Sequence, residues 1–249
     1  MRNPHLWRPT RFVLRGGRLR ASRDPSVVGV GSRLAVDCVA RLYSEHVPRH
    51  CSGRLLDLGC GQVPLHQVYA PFVERSVCVD WPSSHHASPC LDAAVDLSEP
   101  LPFRAQSFDT VLASDVVEHV PDPRLLWREM ARVTRPGGKL LLNVPFFYWI
   151  HEAPHDYYRY TEFALRLLSE EAGFRVLHLE TIGGLREVLV DIAAKRLAKK
   201  PLLGKPLASA LQGACLWFGR TAWGAARSRK TGRAYPLAYF LVAERGAAV

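Results

Sequence analysis

The sequence predicts an α/β fold: a mostly parallel sheet with helices on both faces. Three observations point there. Short apolar runs bounded by turn residues alternate with segments of helical period. The run Leu55-Leu56-Asp57-Leu58-Gly59-Cys60-Gly61 reads as a buried strand entering an acid and a glycine turn. Such runs lie inside parallel sheets, and glycines let the backbone turn sharply and approach a ligand. The run Ser76-Val77-Cys78-Val79-Asp80 ends in another acid 23 residues after Asp57, where an α/β fold holds a ribose.

The elements follow in order. Residues 31–47 have helical spacing, with Leu34, Cys38, Val39 and Leu42 on one face. Strands are expected at 54–58, 76–80, 93–95 and 108–114, with a short helix within 64–71. Asp122 and Pro123 open a helix to Thr134. Arg135-Pro136-Gly137-Gly138 should stop it and turn the chain into a strand at 139–144. Thr161 caps a helix that Gly173 ends, and strands follow at 174–181 and 235–244. The 183–234 segment between those last two strands reads as helical, an insertion. Ligands of such sheets bind at the carboxyl ends of the strands, where Asp57, Asp80, Asp96 and Ser114 fall.

The 249 residues, 48% of them hydrophobic, suffice for one large globular body. The net charge of +10 is unevenly placed. Residues 1–23 hold seven Arg and no acid, and residues 185–233 hold eleven Lys/Arg against Glu187 and Asp191, leaving the remainder net acidic. Three parts result: a basic arm at 1–24, expected to be solvated; a main domain at 25–184 and 234–249; and a basic insertion at 185–233. The six Cys form no CxxC pair and suggest reduced thiols in a cytoplasmic protein. The longest uncharged run, Pro206 to Gly219, is shorter than the roughly 20 apolar residues that span a bilayer.

The ordered motifs Asp57-Leu58-Gly59-Cys60-Gly61, Asp80, Asp96 with Leu101-Pro102-Phe103, Ser107-Phe108-Asp109, Glu118-His119-Val120 and Arg135-Pro136-Gly137-Gly138 resemble those of class I S-adenosylmethionine-dependent methyltransferases, in particular the small-molecule type 11 branch. The resemblance covers about residues 50–182 and resumes at 235–244. It implies a Rossmann-like, seven-stranded, mostly parallel sheet and S-adenosyl-L-methionine as cofactor. By family role, Asp57, Gly59 and Gly61 would hold the methionine part of the cofactor. Asp80 would accept from the ribose hydroxyls, Trp81 would pack on adenine, and Asp96 would accept from the adenine amino group beside the Leu97 amide. Ser114 and His119 would border the methyl-donor end. The chain departs from the family at Val63, where a third glycine is frequent. A nicotinamide enzyme would want glycine at position 64 of a GxGxxG run from Gly59, and Pro64 stands there.

Methyl transfer asks a protein chiefly to align acceptor and donor. The expected acceptor is a hydroxyl on a small molecule, glycan or lipid-linked intermediate, which benefits from a base. His119, His155 and Asp156 are the catalytic candidates. The last two lie in the run His151-Glu152-Ala153-Pro154-His155-Asp156-Tyr157-Tyr158-Arg159-Tyr160, similar to runs in methyltransferases of glycans and natural products. Tyr157, Tyr158 and Arg159 then bind substrate, or the run is a structural latch. Asp115-Val116-Val117-Glu118-His119 resembles the Glu-x-x-Glu-His run of quinone-pathway O-methyltransferases, whose acids and His hold a divalent cation. That resemblance would make Asp115, Glu118 and His119 ligands, although Glu-His-Val also occurs in relatives without metal, and no metal is the expectation. In the insertion, Leu185, Val188, Leu189 and Ile192 mark one helical face, and Leu207, Leu211, Cys215 and Phe218 another. Trp217 and Trp223 accompany the basic residues. A lid packed on the body and a peripheral element on an anionic membrane, at its cytoplasmic face, both fit. Nucleic-acid binding is not expected, for no recognisable module is present. The competing function is a cofactor-binding scaffold that kept the fold and lost catalysis.

Overall fold

The computed structural model describes residues 1–83 and 88–247; the last two positions of the expected 234–249 segment lie outside them. The chain opens with a hairpin, β1 (Phe12–Arg15) and β2 (Arg18–Ala21). Then come α1 (Arg33–His50), β3 (Arg54–Leu58), the single turn α2 (His66–Tyr69), β4 (Arg75–Asp80), β5 (Ala93–Ala94), β6 (Phe108–Ser114), α3 (Pro123–Val133) and β7 (Thr134–Pro145). Finally α4 (Glu162–Glu171) and β8 (Phe174–Ile182) precede three helices, α5 (Leu185–Ala198), α6 (Gly204–Gly219) and α7 (Ala222–Gly232), and β9 (Ala238–Arg245) closes the chain.

Seven strands form one sheet in the order β5-β4-β3-β6-β7-β9-β8. The first five are mutually parallel, and β9 runs antiparallel to both neighbours. The central strands are apolar without alternation because both faces are covered. Leu56, Leu58, Val111 and Ala113 pack with Leu126, Trp127 and Leu165 of α3 and α4. Leu55, Leu112 and Leu141 face the other way, onto Val39, Leu42 and Tyr43 of α1. Asp122 accepts from the Leu125 amide at 3.1 Å and Thr161 from the Ala164 amide at 3.2 Å, caps worth about 1 kcal/mol each.

Three local expectations change. Arg135–Gly138 is not a turn before the strand: β7 already pairs with Phe108 through Thr134 and re-registers at Thr110↔Lys139. Gly137, at φ +79°, lies in the extra length between those pairs, so the glycines serve an irregular step within the strand.

The basic arm is not solvated. Gly16 and Gly17 both take positive φ, which lets two residues close a hairpin. That hairpin puts Phe12 in the core, its ring centroid 6.4 Å from that of Tyr43, a burial worth about 1.5–3 kcal/mol. The Ala21 amide donates to Asp37 Oδ1 on α1 at 2.8 Å, and the Trp7 indole donates to the Val63 carbonyl at 3.0 Å.

Helix α5 is turned relative to its expected face. Glu187, Asp191 and Lys195 are buried with Val188, while Leu189 and Ile192 are exposed. The inward polar groups find partners. Glu187 accepts from the Gly184 amide and the Ser228 hydroxyl, and Lys195 pairs with Asp191 and stands 3.6 Å over the Tyr148 ring. On α6, Ala208, Gln212 and Cys215 face inward while Leu207 is exposed. Gln212 accepts from the Leu34 amide and donates to the Val30 carbonyl, fastening the insertion to the start of α1. All six cysteines are free thiols. Among the described residues, no helix is long and apolar enough to cross a membrane.

Candidate active site

A cavity of about 900 Å³ opens over the carboxyl ends of β3, β4, β6 and β7. The glycine turn after β3, Asp80 and Trp81 after β4, Asp96 and Leu97 after β5, and Ser114 and His119 after β6 all line it. These elements end side by side because the strands are parallel, which is why residues 23 or more apart in sequence meet here.

The glycine turn is conformationally demanding. Gly59 has φ +62°, and a Cβ there would lie 2.2 Å from Val116 Cγ2. Gly61 also has positive φ. So does Val63, at +53°, a strained backbone for a β-branched residue. Full burial and the Trp7 bond to its carbonyl hold it there. The loop therefore makes the shape expected of glycine at 63 without one.

Asp80 Oδ1 accepts from the Trp81 amide at 2.8 Å, and Asp96 Oδ1 from the Ser98 amide at 2.8 Å. The two carboxylates and the Trp81 face lie on one cavity wall. That donor and acceptor pattern fits a nucleoside: acceptors for hydroxyl and amino protons beside a flat ring. Asp57 is buried and, among the described residues, does not line the cavity. Burial first, and Cys78 and Asp80 next, push its carboxyl well above the usual range. It lies on β3, immediately before the glycine turn.

Beyond Ser114 a chain of hydrogen bonds ties the sheet to the arm. The Ser114 and Tyr43 hydroxyls both donate to Asn143 Oδ1, at 2.9 and 2.5 Å. Asn143 Nδ2 donates to Asp115 Oδ1 at 2.5 Å, and Arg11 Nη1 donates to Asp115 Oδ2 at 2.6 Å. Asp115 is thus engaged on both oxygens and separated from the pair Glu118 and His119, with which sequence grouped it as a metal ligand.

The loop after β7 divides its residues between two tasks. Arg159 grips Asp156 with both terminal nitrogens, at 2.6 and 2.7 Å, and the His151 amide donates to Asp156 at 3.0 Å. Arg159 holds the Asp156 carboxyl far below its usual range. Tyr158 donates to the Pro121 carbonyl at 2.7 Å. Asp156, Tyr158 and Arg159 do not line the cavity; they latch the loop. Asp156 accordingly pairs with Arg159 and His151, not with its neighbour His155. His155 and Tyr157 do line the cavity. Their Nδ1 and hydroxyl lie 3.1 Å apart, and the His155 ring meets Trp81 edge-on at 4.7 Å. His155 therefore sits beside the nucleoside wall.

At the other side, over β6 and β7, Glu118 is fully buried, and among the described residues neither carboxylate oxygen has a hydrogen-bond partner. Burial pushes its carboxyl up. His119 Nε2 and His151 Nε2 approach its Oε1 at 3.6 and 3.7 Å. Sequence reasoning gave His151 no role of its own and missed Arg11, Asn143 and Tyr148. The Gly16-Gly17 dipeptide flanked by Phe12 and Leu19 was the available signal for the hairpin that carries Arg11 inward.

Residues 56–142 match a family model described as a methyltransferase domain. An uncharacterized methyltransferase of Mycobacterium leprae is 38% identical over 121 residues, 44% of this chain and 45% of that protein. A malonyl-[acyl-carrier protein] O-methyltransferase of Hahella chejuensis is 31% identical over 102 residues, 37% of each. The chain thus spans less than half the length of these curated relatives. Among solved structures, the [4+2]-cyclase SpnF superposes with a TM-score of 0.56 at 20% identity, covering 87% of this chain and 84% of that one. A methyltransferase from Mesorhizobium loti gives 0.53 at 15% identity, covering 85% and 100%. These two likenesses are of fold. Residues 56–142 thus match a methyltransferase domain, and the glycine turn and strand-end carboxylates lie where such a domain holds S-adenosylmethionine.

Proposed function

We propose that the chain methylates a hydroxyl oxygen of a small molecule, glycan or lipid-linked acceptor. The observation that carries this is the polarity of the cavity over the strand ends. Acceptor carboxylates and Trp81 stand over β4 and β5, while imidazoles and the buried Glu118 stand over β6 and β7. S-adenosylmethionine, when bound, supplies the electrophilic methyl group. Asp80 and Asp96 hold its nucleoside, Asp57 supports the glycine turn through Gly59 and Gly61, and Trp81 offers the flat contact. Leu97 and Ser114 complete the wall. The acceptor enters beside Tyr148 and Tyr157, with its hydroxyl toward the group of Glu118, His119 and His151, which takes the proton when no ion is held there. The Hahella relative, an O-methyltransferase by name, supports an oxygen acceptor. The test is an acceptor panel with methyl-labelled cofactor, scoring release of S-adenosylhomocysteine. Labelled, hydroxyl-methylated product supports the reading. Cofactor binding with no turnover on any acceptor favours the scaffold alternative instead.

We propose further that the insertion is a membrane-surface element. Two observations favour this over a lid alone. Helix α5 turns its polar residues inward and leaves Leu189 and Ile192 outside. The loop to α6 presents Leu202 and Leu203, 96% and 68% exposed, among exposed Lys199, Lys200 and Lys205. On α6, Leu207, Ala210, Ala214 and Trp217 continue an exposed apolar stripe. Outward apolar residues bordered by cations suit an anionic lipid surface. Flotation with vesicles containing phosphatidylserine, lost in Leu202→Asp/Leu203→Asp, supports the proposal. No flotation of the parent protein, or equal flotation of both, rejects it.

A further inference from the structure

We propose that Glu118, His119 and His151 form a binding site for a divalent first-row transition-metal ion, of the zinc type, at the cavity end over β6 and β7. The three residues come from two separate segments. Glu118 and His119 lie on the helical turn Val117–His119 that follows β6, and His151 lies in the loop after β7. Each offers a ligand atom, and these atoms all lie within 4.8 Å of one another.

The carboxylate is the first argument. Glu118 is completely buried, and among the described residues neither of its oxygens accepts a hydrogen bond. A buried carboxylate without a partner is costly and rare, and calls for a cation or a proton. The turn that carries it is nonetheless held firmly in place. The amides of Tyr157 and Tyr158 both donate to the Glu118 carbonyl, at 3.0 and 3.2 Å. The fold thus spends backbone hydrogen bonds to keep this side chain where, among the described residues, no hydrogen bond satisfies it.

The imidazoles are the second and independent argument. His119 Nδ1 donates to the His155 carbonyl at 2.8 Å, which places the lone pair on Nε2. His151 Nδ1 lies 3.3 Å from Asp156 Oδ2, and Asp156 is itself clamped by Arg159 and by the His151 amide. His119 is held from behind by its Nδ1 bond, whereas Asp156 stands near His151 Nδ1 without hydrogen-bonding it. Both rings turn Nε2 toward Glu118 Oε1, at 3.6 and 3.7 Å. For His119 that is the arrangement in which an outer oxygen fixes the tautomer and direction of a metal-binding histidine. The distances are too long for hydrogen bonds. They are close to the separation of about 3.3 Å between ligands on a tetrahedral ion with bonds of about 2.0–2.1 Å.

The donor set chooses the ion. Two imidazoles and one carboxylate suit zinc and its neighbours, whereas magnesium and calcium take oxygen ligands. Three protein ligands leave a position open, and His119 and His151 line the cavity, so that position faces the space assigned above to the acceptor. There the ion would polarise a hydroxyl and lower its pKa. The site differs from the run suggested by sequence: Asp115 is held by Arg11 and Asn143, and His151 takes its place. Ion binding itself does not depend on the proposed O-methylation, and binding is what the test reads.

The experiment strips the full-length protein with a chelator and titrates it with zinc chloride against a chromogenic competitor, in the absence of cofactor and acceptor. Metal content after gel filtration is measured in parallel, and cobalt(II) serves as a visible reporter. The expected result is one ion per chain, with cobalt bands of low coordination number. Affinity should fall at least 10- to 100-fold in His151→Ala and in Glu118→Gln, and remain unchanged in the remote control His50→Ala. His119→Asn serves as a second ligand variant where Glu118→Gln fails to fold. Absence of stoichiometric binding overturns the proposal and leaves a metal-free acid–base pair. Binding that persists in the His151 and His119 variants, or is lost in His50→Ala, also overturns it.

Discussion

Replacing Asp80 by Ala tests the cofactor wall most directly. The side chain closes β4 and faces the cavity, with Oδ1 already accepting the Trp81 amide at 2.8 Å. A hydrogen bond to a charged acceptor contributes about 1.5–3 kcal/mol. Two ribose hydroxyls on one carboxylate, with one oxygen shared with the Trp81 amide, give a loss of about 2–4 kcal/mol. That corresponds to roughly a 30- to 700-fold rise in Kd, at 1.4 kcal/mol per tenfold. Asp80→Asn keeps one acceptor oxygen and should lose about tenfold. Calorimetric titration with S-adenosylmethionine reads both, and a matching far-ultraviolet spectrum with an unshifted melting temperature excludes misfolding. A folded Asp80→Ala protein whose Kd lies within threefold of the parent refutes the placement of the ribose on Asp80.

Other expectations follow from the same coordinates. Asp57→Asn should stabilise the cofactor-free protein at neutral pH while weakening cofactor binding. The folded carboxyl is raised by burial, so its ionisation costs stability as pH climbs from the unfolded value near 3.9; equal melting temperatures at pH 7 would count against this. Phe12→Ala should cost about 3–5 kcal/mol and lower the melting temperature by roughly 6–20 °C, because the ring is fully buried. A shift under 3 °C would show that the hairpin is not part of the folded body. Glu129 is held below its usual pKa by Arg132, so its contribution to stability is present above about pH 4.3 and fades as pH falls through the lower folded value. The urea midpoint should therefore drop more steeply between pH 5 and pH 3 in the parent than in Glu129→Gln, and parallel curves would contradict the pairing.

The parallel core was legible because a strand buried on both faces leaves an unbroken apolar run, as Leu55–Leu58 and Val111–Ala113 show. The strand-end acids were legible because parallel strands place their carboxyl ends together. Two features lay beyond that logic. The arm holds seven arginines in 23 residues, and that charge hides the apolar Phe12, Leu19 and Ala21 that dock, which the Gly16-Gly17 turn brings to one side. In α5, the choice of inward face depended on partners far along the chain, Ser228 and Tyr148, which no periodicity reveals. In the loop from His151 to Tyr160 the adjacency of His155 and Asp156 does not show a pair, and Arg159, three residues after Asp156, takes the carboxylate.

The antiparallel pairing of β8 with β9 places Ile182 directly opposite Ala238. The three helices between them leave the sheet and return to it at a single doorway. Geometrically, a tight hairpin turn can bridge that doorway, so the helical unit is exchangeable without redrawing any strand. Gln212, reaching Val30 and Leu34, fastens it together with Val188 against Ala35 and Leu237 and Lys195 over Tyr148. A lineage could refit this corner of the protein for a different surface by trading one cassette and the few residues it docks on, while the glycine turn and its carboxylates stay untouched.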